Sequence, residues 1–89
     1  MRAVITVIGT DKVGIIAAVS TILAQANVNI LDITQTTMQG LFTMIMLVDV
    51  SKSSLVFEKL SETLAAKGDD MGLKIRIQHE DIFKSMHRI

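Results

Sequence analysis

The sequence contains no cysteine, no tyrosine and no tryptophan, and phenylalanine occurs only three times. Without cysteine, the chain can form neither a disulfide nor a thiol nucleophile nor a cysteine-ligated metal site. Sheets that bind RNA stack bases on exposed aromatic side chains, and only Phe42 lies on a predicted strand where such a platform would be needed. The missing residue types therefore argue against thiol chemistry and against RNA binding.

An excess of one charge and a long hydrophobic run are also missing. Nine Lys and Arg residues balance nine Asp and Glu residues, so no basic field attracts nucleic acid or anionic lipid. No segment approaches the roughly 18 apolar residues of a membrane span, and no signal-peptide cleavage pattern follows Arg2. We expect a cytoplasmic protein that binds neither nucleic acid nor a membrane directly.

Residues that could form a catalytic or metal site do not cluster. The two histidines, His79 and His87, both lie near the end of the sequence, and no carboxylate pair or Ser–His–Asp set converges on one turn. Gly9 and Gly14 have the spacing of a phosphate loop, but Ile15 follows where that loop needs lysine. We therefore predict a protein that is not an enzyme and has no cofactor and no metal.

The apolar content is high for a short chain. It reaches 49% of 89 residues, and the mean hydropathy is +0.47. A domain of this size buries only about 60% of its unfolded surface, so its stability is marginal unless association adds to it. We expect that part of the apolar surface lies in an interface.

Periodicity predicts four strands and three helices in the order βαββαβα. Strands one and three are apolar on both faces, whereas strands two and four are partly polar, which favours sheet order 4-1-3-2. The fold class is thus α+β, a ferredoxin-like sandwich at residues 1–78 with a terminal helix at 79–89. The predicted elements are, in order, Met1–Ile8, Val13–Ala26, Val28–Thr37, Leu41–Val50, Ser54–Lys67, Met71–Gln78 and His79–Ile89. Strict alternation puts Ile30 and Asp32 on one face of the second strand, and Met38–Gly40 is the predicted hairpin turn. We expect the serines at 51–54 to cap the second helix and Gly68 to end it.

In this arrangement two helices cover one face of the sheet. The other face has only the terminal helix of the same chain to cover it. We therefore expect a homodimer or another association that buries this second face.

The turn after the first strand is the candidate ligand site. Thr10 and Asp11 are good N-cap residues, and the turn presents free N–H groups and the positive end of a helix dipole beside the Asp11 carboxylate. A small ligand that carries both charges would fit there, although an ordinary strand-to-helix turn has the same pattern. Likewise, Asn27 could simply end the first helix, and Asn29 could satisfy a neighbouring backbone group.

Two motifs resemble the ACT domain family. They are the turn Gly9–Ile15 after a hydrophobic strand and the segment Ala26–Ile30 that enters the second strand. Two further stretches, Asp32–Thr36 and Phe42–Asp49, are similar to small free-standing ACT proteins of bacteria and archaea, which are akin to the ACT domains of the glycine cleavage system transcriptional repressor and of formyltetrahydrofolate deformylase. The resemblance covers Val4 to about Gln78.

The resemblance implies a ferredoxin-like regulatory module that binds an amino acid, with glycine and serine as the candidates, between two domains and acts through a protein partner. Gly14 would approach the ligand carboxylate and Asp11 its ammonium group, while Val13 stands where many relatives carry proline. The asparagines at the start of the second strand would lie beside the turn. The predicted ligand-binding residues are Thr10, Asp11, Val13, Gly14, Ile15, Asn27 and Asn29. The alternative is an interaction module without a small ligand, which would use the open sheet face and the terminal helix.

Overall fold

The computed structural model describes residues 1–10 and 14–86, which form four strands and three helices in the predicted order. Their bounds are β1 Arg2–Gly9, α1 Ile15–Gln25, β2 Asn29–Met38, β3 Leu41–Asp49, α2 Phe57–Met71, β4 Lys74–His79 and α3 Glu80–Met86. No helix in the described part of the chain is long and apolar enough to cross a membrane.

The four strands form one antiparallel sheet in the order β2-β3-β1-β4. This order and the ferredoxin-like fold confirm the prediction. β1 and β3 take the central positions because both of their faces are apolar, so neither face needs to meet water. Their register places Val7 opposite Met44 and Ile5 opposite Met46, and all four of these side chains face the helices with 0% exposure.

The hydrophobic core fills the space between the sheet and the first two helices. Leu60 and Leu64 of α2 recur at helical spacing and are fully buried against the same strands. The helices contribute their apolar stripes, since a helix buries one face when it packs on a sheet. From α1 the fully buried residues are Ile15, Val19 and Leu23.

The second helix is longer than predicted. The sequence led us to end it at Lys67, because Gly68 interrupts the pattern, but the helix continues to Met71. Gly68 is a packing residue: a Cβ there would lie 2.9 Å from the carbonyl oxygen of Leu73 and 3.1 Å from Ile75. The residue that ends the helix is Gly72, at φ 73°, a conformation that glycine adopts without strain.

The start of α2 also differs from the prediction. We expected the serines at 51–54 to cap this helix, but the N-cap is Val56, which has no capping side chain. Ser53 instead closes a local turn, because its hydroxyl both accepts from Leu55 N and donates to Leu55 O. Serine hydroxyls compete for nearby backbone groups in this way outside helices.

A bulge in β2 changes which side chains share a face. Ile30 lies opposite Val48 and Asp32 opposite Leu47, so the register shifts at the residue between them. The predicted strict alternation, which put Ile30 and Asp32 on one face, is therefore wrong. The bulge brings Ile30 against the core and leaves Asp32 exposed, which satisfies both side chains.

The hairpin between β2 and β3 forms at the predicted position. Gln39 and Gly40 have positive φ angles of 50° and 81°, and Met38 pairs directly with Leu41. Two consecutive positive φ angles match the twist of the flanking strands. The hairpin therefore sets the register for the whole β2–β3 pair.

The terminal helix lies on the sheet face that α1 and α2 leave open. It contacts β1 and β4, and an ion pair of 2.5 Å joins Arg2 to Glu80 at its start. His79, predicted as the first residue of this helix, instead ends β4 and stacks on Phe57, with ring centroids 4.0 Å apart. The predicted continuation through residues 87–89 lies outside the described residues.

Candidate ligand-binding site

The turn end of the domain is built around Gly14. This residue is the N-cap of α1 at φ 76°, and its carbonyl oxygen accepts from Ala18 N at 2.9 Å. A Cβ on Gly14 would meet no atom within 4 Å. Glycine is therefore required by its left-handed conformation and not by close packing, and the space beside it is open.

The first turn of α1 presents main-chain donors. Its N-cap is Gly14, which has no side chain to cap the helix, and the first turn contains no acidic residue. The predicted cap by Thr10 does not form, and Thr10 is exposed; Asp11 and Val13 lie outside the described residues. The N–H groups at such a helix start carry partial positive charge, so they attract carboxylates and other anions.

Ile15 belongs to this end through its backbone alone. Its side chain is 0% exposed and packs in the core, so it offers a ligand no side-chain contact. Hence Gly14 and Ile15 can offer a ligand only main-chain groups.

The opposite end of the domain contains both predicted asparagines. Asn27 follows α1 in the left-handed conformation, at φ 59°, and Val28 N donates to Leu23 O at 2.9 Å. The Asn27 side chain donates through Nδ2 to Lys52 O at 3.0 Å. These contacts show Asn27 ending the helix and tying the loop after β3 to it, as one of the two open interpretations predicted.

Asn29 lies in a polar hollow of about 390 Å³ at the start of β2. Its side chain is exposed, and its register partner is Asp49. The hollow is therefore accessible and carries an amide, a carboxylate, a hydroxyl and an ammonium group. The lining residues are Ala24, Asn27, Val28, Asn29, Asp49, Ser51 and Lys52.

The carboxylate of Asp49 is held in its charged form. Ser51 N donates to Asp49 Oδ1 at 2.9 Å, and the N-terminal ammonium lies 3.6 Å from the same oxygen. The hydrogen bonds from Ser51, first through its backbone N–H, lower the pKa of Asp49, and the N-terminal charge adds to this effect. The Asp49 carboxylate therefore stays ionised, and the N-terminal ammonium and Lys52 offset its charge.

Sequence reasoning missed Asp49, Ser51 and Lys52 as neighbours of the asparagines. The hairpin turn at Gln39 and Gly40 could have identified these neighbours from the sequence. Counting equal numbers of residues outward from this turn brings the end of β3 beside the start of β2. The bulge displaces this count by only one residue.

The expectation that Asn27 and Asn29 lie beside the turn is wrong. Gly9 pairs with Phe42 at one end of the sheet, whereas Asn29 pairs with Asp49, and Asp49 with Arg2, at the other. Because β1 rises about 3.3 Å per residue, these two ends are separated by roughly 20 Å. A single protomer therefore holds the predicted residues in two separate half-sites.

The described residues at the two ends form no cluster of metal-ligand type. Within residues 1–10 and 14–86, no three His, Asp or Glu side chains come together as metal ligands. What the half-sites offer is hydrogen bonding and charge: N–H donors at the turn end, and mixed polar side chains at the Asn29 end. Such groups suit the recognition of a small polar molecule.

The fold and the site thus define a class of protein: a ferredoxin-like domain with accessible polar groups at both ends of its sheet. A family model of the ACT domain matches residues 2–78, and the chain belongs to the ACT domain family. A UPF0237 protein of Clostridium acetobutylicum is 58% identical over 89 residues, the full length of both chains. The resemblance seen in the turn and strand motifs is therefore confirmed.

Solved structures agree with this assignment. An ACT domain protein from Streptococcus pneumoniae is 42% identical, with a TM-score of 0.81 over 94% of each chain. A protein assigned as a glycine cleavage system transcriptional repressor is 29% identical, with a TM-score of 0.71 over 86% of this chain and 44% of its own. A formyltetrahydrofolate deformylase from Pseudomonas syringae, 23% identical, shares the fold, with a TM-score of 0.78 over 88% of this chain and 27% of its own.

Proposed function

We propose that this protein is a regulatory ACT protein that binds an amino acid between two copies of the chain and signals through a protein partner. The observation that carries the proposal is the separation of two complementary half-sites. The turn end offers main-chain N–H donors at the start of α1, whose N-cap is Gly14, and the Asn29 end offers a polar hollow in which the Asp49 carboxylate stays ionised. A free amino acid carries both a carboxylate and an ammonium group, so it needs both kinds of partner.

A second copy would unite the half-sites through β2. This strand lies at the edge of the sheet and runs for ten residues, and an edge strand presents unpaired N–H and C=O groups. Two-fold pairing of β2 with its counterpart would run the two strands antiparallel. The turn end of one protomer would then face the Asn29 end of the other.

Each ligand group has a partner in this arrangement. The carboxylate would accept from N–H groups near Gly14 and Ile15, where the dipole favours an anion. The ammonium group would meet Asp11 of the turn or Asp49 of the opposing copy, and Asn29 would add a hydrogen bond. Glycine and serine are the first candidates because their small side chains suit a site closed by main-chain groups.

Isothermal titration calorimetry with the common amino acids tests the proposal. We expect one ligand per protomer at millimolar concentration or below, with Asp11→Ala and Gly14→Val both abolishing binding. Asp69→Ala, an exposed change on α2, is the control and should bind like wild type. No binding by the wild-type protein at millimolar amino acid, with the dimer intact, would contradict the proposal.

The alternative, an interaction module without a small ligand, is favoured by one specific feature. The sheet face beside α3 leaves Ile8 41% and Ile45 38% exposed, which is a surface that a second protein could cover. Deleting residues 81–89 would then abolish association, as measured by analytical ultracentrifugation. If the shortened chain stays dimeric, as pairing through β2 predicts, α3 is not the interface.

A further inference from the structure

A groove crosses the open face of the sheet on the side of β4, away from the β2 edge. Its volume is about 580 Å³, within the range of about 300–1,000 Å³ typical of small-molecule sites. We call it the basic groove. The residues that line it are Thr6, Ile8, Thr43, Ile45, Lys74, Ile75, Arg76, Gln78 and Phe83.

The floor of the basic groove is apolar but accessible. Ile8 and Ile45 lie diagonally across β1 and β3, because Ile8 pairs with Thr43 and Thr6 with Ile45. The two isoleucines are 41% and 38% exposed, and two threonines alternate with them. Phe83 of α3, which is half-buried, forms one wall. Covering this floor with an apolar group is favourable, because it removes apolar surface from water.

The rim of the groove is positively charged. Lys74 and Arg76 lie two residues apart on β4, so their Cα atoms are about 7 Å apart, and both are exposed. Neither forms an ion pair with any residue in the described ranges 1–10 and 14–86. No Asp or Glu is among the described residues that line the groove, although the chain as a whole is neutral.

The positive charge of Lys74 and Arg76 does not extend to a neighbouring hollow. On the other side of Phe83, a hollow of about 250 Å³ is lined by Asp32, Glu80 and Lys84. There Glu80 is already neutralised by Arg2 and Lys84. The open face thus places its uncompensated cations in the basic groove, where an anion would be favoured.

Cations on an edge strand also prevent unwanted strand pairing, but that role does not explain an apolar, hydroxyl-bearing floor beside them. We propose that the basic groove binds a monocarboxylate with an aliphatic body. The carboxylate would pair with Lys74 and Arg76, and the body would cover Ile8 and Ile45 against Phe83. The groove spans three strands, about 10 Å from β3 to β4, so a chain of about six to ten carbons fits.

This second site is independent of the proposed amino-acid site. Pairing through β2 leaves the β4 side of the sheet uncovered, so one protomer can hold both ligands. Failure of either proposal leaves the other standing, because the two sites use different residues and different probes.

Octanoate, titrated below its micelle concentration and followed by ¹H–¹⁵N NMR, is the test. We expect saturable shifts at the amides of Thr6, Ile8 and Ile45 with one octanoate per protomer. Acetate, which lacks the body, and octan-1-ol, which lacks the charge, should each bind at least about tenfold more weakly. Octanoate binding should also weaken as salt is added.

The double variant Lys74→Gln/Arg76→Gln supplies the matched mutational arm. Both side chains are exposed, so the variant should keep the wild-type melting temperature while its octanoate affinity falls about tenfold or more. Lys59→Gln, an exposed change on α2 across the molecule, should leave the affinity unchanged. Phe83→Ala should weaken octanoate binding, because the aliphatic chain of octanoate loses one apolar wall of the groove. The same change should leave the weak binding of acetate unaltered.

Three outcomes would overturn the proposal. One is octanoate affinity that does not change in the double variant. Another is octan-1-ol binding as tightly as octanoate, which would indicate a merely apolar surface. The third is a set of shifts centred on Asn29 or Gly14, which would place the carboxylate in the amino-acid site instead.

Discussion

The two ends of the sheet offer a ligand different kinds of chemistry. At the turn end the donors are main-chain N–H groups, and their placement depends on the φ angle of Gly14. At the other end the polar groups are side chains, those of Asn29, Asp49 and Lys52 among them. A main-chain half-site therefore depends on one torsion angle, whereas a side-chain half-site depends on residue identity. A substitution of Gly14 should therefore change stability as well as affinity, whereas a substitution of Asn29 should change affinity alone.

The largest expected effect is at Gly14. Gly14→Val forces a β-branched residue into the left-handed conformation, which costs about 1–3 kcal/mol of unfolding free energy. Chemical denaturation measures this loss. Gly14→Asn is the matched control, since asparagine tolerates positive φ, and it should lose far less. Equal losses in both variants would mean that the torsion angle does not define this end.

A smaller effect is expected at Asn27. Asn27→Ala places alanine in the left-handed conformation and removes the bond to Lys52 O, so unfolding free energy should fall by about 1–2 kcal/mol. Asn27→Gly keeps the conformation and should stay closer to wild type in the same denaturation experiment. If the glycine variant is the less stable of the two, the left-handed φ angle does not determine the end of α1.

At Asn29 we expect a change in affinity without a change in stability. Asn29→Ala replaces an exposed side chain, so unfolding free energy should change by less than about 0.5 kcal/mol. Amino-acid affinity, measured by calorimetry, should fall about tenfold through the lost hydrogen bond. Gln35→Ala, an exposed change farther along β2, should alter neither quantity, and unchanged affinity in Asn29→Ala would exclude this residue from the site.

The smallest effect concerns the pH dependence at Asp49. Because Ser51 and the N-terminus lower the pKa of Asp49 in the folded protein, its contribution to stability is present above the usual aspartate pKa. That contribution is lost as pH falls through the lowered value. An NMR titration of the Asp49 carboxyl carbon should give a lower pKa than the same residue in a short peptide of residues 47–53. Equal pKa values of Asp49 in the protein and in the peptide would show that folding does not stabilise the ionised carboxylate.

Local sequence patterns predicted the architecture because each element follows from its own residues. Apolar residues on both faces of β1 and β3 placed these strands at the centre, and glycine after Gln39 placed the hairpin. Gly68 was misread as a helix stop because its role is set by the strand residue Leu73, which lies against it only after folding. The β2 bulge was missed because a single extra residue leaves the hydrophobic pattern almost unchanged.

The candidate site was predicted as a set of residues but not as an arrangement. Thr10, Gly14 and Asn29 are exposed, as a ligand site requires. Their distribution over opposite ends follows from the antiparallel return of α1, which runs back along the sheet before Asn29 begins β2. Residue types and spacing indicate possible ligand contacts, whereas distances across the sheet depend on topology and, in the proposed dimer, on a second chain.

The most direct test of the two-copy site combines two defective chains. Asp11→Ala disables the turn end and Asn29→Ala the other, so each variant homodimer should bind the amino acid identified by calorimetry poorly. A heterodimer of the two, purified through two different affinity tags, contains one intact pair of half-sites. We predict wild-type affinity at one site per heterodimer, and a heterodimer that binds no better than either homodimer would contradict a site shared between two copies.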